Sequence, residues 1–226
     1  MRVRTKVAFA ILAVASLLGI STNATAATED NGASDPNAAK AATAFPVDAK
    51  PVADHLMIDG ERIEVAVMPD FPNEGYVELL TDNGVEYGEI VEKGVVVTER
   101  TAAKGITAAA AASCGTWINW AAPGNGNYIQ GPPGCSFIGL NKDTKAGYEF
   151  VVNVLSLGGA CTQALGYHLT PVSTGGYQYT AYWTGMGCRS AGSTWGGTVQ
   201  WGNVAAVKKI LVKSTGAGIG SNGQFR

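Results

Sequence analysis

The chain has 226 residues and a formal net charge of −2, but that near-neutral total conceals two opposed blocks. Residues 27–99 carry 16 acidic and 4 basic side chains, net −12, and residues 100–226 carry 9 basic and 2 acidic, net +7. Past the first 26 residues no stretch is long and apolar enough to cross a bilayer, and from Cys114 onward one histidine and two carboxylates leave little material for acid–base catalysis.

Residues 1–26 have the layout of a secretory signal peptide. Arg2, Arg4 and Lys6 precede an apolar run from Val7 to Ile20, and Ala24-Thr25-Ala26 is a small-x-small cleavage site. The run is shorter than the roughly 20 residues a membrane anchor needs. Export to an extracellular compartment, with no membrane span, is the expectation. Residues 27–45 are rich in Ala, Asn, Asp and Thr and read as a disordered linker, because they cannot bury enough surface to offset their ordering entropy.

Residues 46–100 change character. Ile63, Val65 and Val67 alternate with Arg62, Glu64 and Ala66, the period-two signature of a half-buried strand. Tyr76 to Leu80, Tyr87 to Val91 and Val95 to Thr98 are further short strands, and Asp82-Asn83-Gly84 is a hairpin turn. This acidic, β-rich stretch is read as a pro-segment or small separate domain whose negative field complements the positive block in cis. Residues 101–113, with Ala108 to Ala112 at their centre, are expected to be an Ala-rich linker or short helical turn open to proteolysis.

Residues 114–226 hold all four cysteines, all five tryptophans and 22 of the 30 glycines. An even cysteine count in an exported chain predicts two disulfides among Cys114, Cys135, Cys161 and Cys188, with three pairings open. No CxxC spacing is present, so no metal site is expected, and no cofactor motif survives its context. Gly218 to Gly223 spells GxGxxG, but no helix follows. Apolar alternation predicts strands at 116–120, at 148–155 (both faces apolar, hence central), at 165–169, 177–183, 198–201 and 207–213. Glycine-rich turns separate them, and 214–226 reads as a loose tail. The expected fold is all-β, a small antiparallel sandwich or barrel with two disulfides, preceded by the acidic segment.

No catalytic residue can be assigned. A hydrolase would have to use His168 with Asp143 or Glu149. Binding has more material. Trp117, Tyr177, Tyr179, Tyr182, Trp183 and Trp195 are candidate stacking platforms, and Lys208 and Lys209 are candidate anion contacts. The expected function is a secreted, non-catalytic binding module made as a proform, its partner a polysaccharide or an anionic cell-envelope polymer. Nucleic acid fits poorly, because most basic residues are scattered. Alternatives are an antimicrobial or toxin-like protein masked by the acidic segment, a small hydrolase, or a protease inhibitor using the loop Gly131 to Gly134.

Overall fold

The computed structural model describes residues 50–98, 104–173 and 177–226. The expected signal peptide (1–26), the linker (27–45) and the start of the acidic segment lie outside the described residues.

The acidic stretch forms five strands: β1 (Ala53–Ile58), β2 (Glu61–Val67), β3 (Gly75–Thr81), β4 (Gly84–Glu92) and β5 (Val95–Thr98). Asp59 and Gly60 both take positive φ, which matches the twist of a two-residue hairpin between β1 and β2. The Asp59 carboxylate then accepts a 2.7 Å hydrogen bond from the Thr98 amide, tying that turn to β5. One helix follows, α1 (Lys104–Cys114), which packs against β3 and β4 and buries Ala110. The remaining strands are β6 (Ile118–Ala122), β7 (Ile129–Gln130), β8 (Ser136–Gly139), β9 (Lys145–Val152) and β10 (Ala160–Pro171). After these come β11 (Tyr177–Arg189), β12 (Thr194–Gln200), β13 (Val204–Val207), β14 (Ile210–Ser214) and β15 (Ser221–Phe225).

The fold is nearly all β, as the alternation predicts, but the two charged blocks are not separate bodies. A closed barrel runs in the order β1-β2-β13-β8-β3-β4-β5, with β13 and β8 drawn from the basic block. β13 pairs in parallel with β2 (Val204↔Ala66, Ala205↔Val67), and β8 in parallel with β3 (Val77↔Ser136 to Leu80↔Gly139). The physical reason lies in strands apolar on both faces. Ile138 and Ala205 point into the barrel core beside Leu56, Val67 and Leu79. Phe137, Val204 and Ala206 point the other way, into a second core. A strand with two apolar faces must be covered on both, and the acidic block supplies the second cover. The linker expected at 101–113 is mostly helix, and its end is fixed by the Cys114–Cys135 disulfide next to β8.

Opposite charge is consumed at the same seam. Lys208 reaches Glu78 at 2.8 Å with both side chains largely buried, and Lys209 reaches Asp70 at 2.6 Å. The long-range attraction expected between the blocks is therefore spent on two short contacts inside one fold.

The second core lies between two four-stranded sheets, β11-β10-β14-β7 and β12-β9-β15-β6. Trp201, Tyr148, Phe137, Phe150 and Phe225 are its largest fully buried side chains. Cys161 and Cys188 sit opposite each other on β10 and β11 and are bridged. The pairing is thus sequential, and on the chain-entropy model each bridge contributes roughly 3–4 kcal/mol. Two disulfides fit an oxidising compartment, and no helix among the described residues is long and apolar enough to cross a membrane.

Two expectations are corrected here. The segment 214–226 is not loose: Ser221–Phe225 lies between β9 and β6, with Phe225 fully buried. Strand β9 ends at Val152, so Val154 and Leu155 belong to a loop. The cause is Asn153, whose side chain accepts the Leu155 amide (3.0 Å) while its carbonyl accepts that of Ser156 (2.9 Å), turning the chain out of the sheet.

Burial gives the fold an alkaline limit. Tyr148, fully buried and donating to the Leu165 carbonyl at 3.1 Å, and Tyr167 are both held well above the usual phenol value of 10.0, chiefly by desolvation. A phenol whose pKa is raised by folding favours the native state fully below its unfolded value. That contribution is lost as pH rises past 10 toward the raised folded value. The melting temperature is expected to be flat to about pH 9 and to fall steeply above pH 10, with a shallower fall in Tyr148→Phe, measured by circular dichroism across that range.

Candidate functional site

The outward face of the sheet β12-β9-β15-β6 carries a surface hollow, a cleft of about 1010 Å³. Strand register builds it. Antiparallel pairing sets Asn119 of β6 opposite Gln224 of β15, and Gln224 opposite Val151 of β9. One step along, Ala121 faces Asn222, whose carbonyl accepts the Asn153 amide at 3.0 Å. Residues two apart on a strand share a face, so these side chains form two rows across three strands. Gln130 to Pro132 close the cleft on the β6 side, and Val154 with Gly192 close it beyond β9.

Close strand packing depends on one glycine. A Cβ on Gly223 would meet the Val151 carbonyl oxygen at 1.9 Å and the Trp120 ring at 2.4 Å. Without it β15 could not lie over the buried indole, and the rows of amides on the outer face would lose their register.

The polar side chains of the lining are all of one kind, set among apolar ones such as Val151, Val154, Ala121 and Pro132. Five carboxamides, Asn119, Gln130, Asn153, Asn222 and Gln224, converge on the cleft, and no lining residue is charged. Gln224 Nε2 donates to Asn119 Oδ1 at 2.9 Å, which orients both amides. Each carboxamide offers two donors and an acceptor, a match for neutral ligands dense in hydroxyls. At one end of the same face Arg226 stacks on Trp117 (4.7 Å) and pairs with Glu149 (2.6 Å).

The residues singled out from sequence are scattered by comparison. None of these candidates lines the cleft; Trp117 is half-buried, two residues from Asn119 in the chain, with Arg226 over its ring. Trp183 is buried in the core. Trp195 is half-buried and stacks on Phe150 at 5.4 Å. Tyr177 opens β11 opposite Pro171. Tyr179 donates to Asn203 at 3.4 Å, and Tyr182 donates to the Gln200 carbonyl and stacks on His168 at 3.9 Å. Lys208 and Lys209 are held by Glu78 and Asp70.

The candidate hydrolytic groups are engaged apart from one another. Asp143 pairs with Lys142, Glu149 with Arg226, and His168 with the Tyr182 ring. The Gly131–Gly134 loop is held to β14 and its approach, through the Gly131 amide to the Ile210 carbonyl and the Gly134 amide to that of Lys208. Among the described residues no group of three or more His, Cys, Asp or Glu is placed to hold a metal ion. No family model, curated protein or solved structure matches this chain.

Proposed function

We propose that the protein is an exported, non-catalytic carbohydrate-binding module whose ligand is a neutral glycan held in the amide-lined cleft. The observation that supports this most directly is the convergence of five carboxamides on one cleft without a charged lining residue. Such a lining cannot hold an ion by charge and supplies no nucleophile, acid or base. It does suit the dense hydroxyl array of a sugar, where each neutral hydrogen bond is worth about 0.5–1.5 kcal/mol. The uncharged lining favours neutral chains over the anionic polymers that the net charge of residues 100–226 suggests. Trp117 lies two residues from Asn119 in the chain, with Arg226 over its ring.

The test is retention on insoluble chitin and cellulose, both neutral. At least one is expected to retain the native protein. Asn119→Ala combined with Gln224→Ala is expected to weaken retention by roughly 10- to 30-fold, at about 1 kcal/mol per lost contact, with an unchanged melting temperature. Equal retention by the variant and the native protein would remove the cleft from the account.

A further inference from the structure

We infer that the end of the molecule formed by the loops 123–128, 153–159, 190–193 and 215–220 is a peripheral membrane-docking tip for an anionic lipid surface. This goes beyond the glycan reading and does not depend on it.

Register brings the four loops together. The end of β9, the starts of β10, β12 and β15, and the ends of β6, β11 and β14 pair with one another at this edge. Backbone contacts join the loops, with the Gly218 amide on the Gly124 carbonyl (2.8 Å) and the Thr215 amide on the Gly159 carbonyl (2.9 Å). From this end project Val154, Leu155 and Leu157, exposed by 75, 82 and 86%, with Ile219 at 42%. The first three are the most exposed large apolar side chains among the described residues.

They are held out by construction. Ser156, between them, is buried; its hydroxyl donates to the Gly158 carbonyl (2.7 Å) and accepts the Asn222 amide (3.2 Å). Asn153 takes the amides of Leu155 and Ser156. Part of the tip's backbone therefore already has partners, which eases an excursion into a low-dielectric layer.

Charge selects the occupant. The four loops contain no acidic residue, and the cations flanking them are Arg189 at the end of β11 and Lys213 on β14. Apolar side chains at a tip with cations behind them match acyl chains below anionic headgroups. A protein partner is a poorer fit, because four side chains offer well under the roughly 800 Å² per partner that stable interfaces bury.

The experiment is flotation of the full chain with phosphatidylcholine vesicles with and without phosphatidylglycerol. Binding is expected with the anionic lipid. It should fall roughly 25-fold without it, at about fivefold per cation. Leu155→Ser with Leu157→Ser should reduce binding at least about 30-fold at an unchanged melting temperature. Val85→Ser with Val91→Ser, which removes exposed valines from the barrel, should have no effect. Because Val7 to Ile20 is itself apolar, a local readout is also required. A tryptophan placed by Leu155→Trp should gain emission that brominated acyl chains quench. Unquenched emission, native binding by the double-serine variant, or equal loss in the barrel variant overturns the inference. So does a dimer that the double-serine variant dissolves while neither form binds vesicles.

Discussion

Residues 114–226 expressed alone, with both disulfides formed, are expected to collapse without reaching the native structure. In the whole chain β13 and β8 lie between β2 and β3, and Ile138 and Ala205 complete a core whose other buried members all come from the acidic block. Removing β1–β5 uncovers one face of both strands and leaves Lys208 and Lys209 without Glu78 and Asp70. Each large apolar side chain left in water forfeits about 1.5–3 kcal/mol. A domain holds only about 5–15 kcal/mol in total, so a few such exposures suffice. The fragment should bind a hydrophobic dye and lack near-ultraviolet dichroism, as compact states without fixed packing do. Co-expression with residues 46–100 should restore both signals. A fragment with native dichroism and a cooperative melt would mean that the basic block folds by itself after all.

Lys208→Met is expected to be among the most damaging single substitutions. The ammonium lies 2.8 Å from Glu78, with side-chain exposures of 6% and 17%, and sits 5.2 Å from the centre of the Phe137 ring. Breaking such a pair strands a carboxylate away from water and costs about 3–5 kcal/mol. Combining Glu78→Met with Lys208→Met removes both charges and should recover most of the loss, since an apolar pair of similar volume is often no less stable. Lys209→Ala breaks a pair about a quarter exposed on each side and should cost about 1 kcal/mol or less. Urea midpoints for the four proteins order these effects. Lys208→Met within about 1 kcal/mol of the native chain would show that the seam contributes little.

Much of the strand content is legible in the sequence because apolar alternation survives in β2, β3, β9 and β10. Three strands, β15 on one side and β8 and β13 on the other, escape it for opposite reasons. In β15 only Phe225 is large and apolar, so Ser221-Asn222-Gly223-Gln224 looks like a flexible tail. In β8 and β13 there is no polar face to alternate with, and nothing local reveals which second core will cover them. The charge division is plain in composition, yet only the fold places Lys208 and Lys209 against Glu78 and Asp70. The cleft was the least legible part. Asn119, Asn153 and Asn222 are far apart in the chain, and each alone looks like a solvated strand position. Lateral register gathers them, and no spacing rule within one strand could have found it. Of the surplus tryptophans, Trp117 and Trp195 are half-buried, whereas Trp183 serves the core.

The amide-lined cleft is tested most directly by mapping side-chain amide resonances of Asn and Gln while titrating a neutral oligosaccharide such as chitotetraose or cellotetraose. The expected result is saturable movement of Asn119, Asn153, Asn222 and Gln224, together with the Trp117 indole, while Trp195 and Tyr182 stay still. Movement centred on Trp195 and Tyr182, or none with any neutral sugar that the protein retains on a solid support, would contradict it.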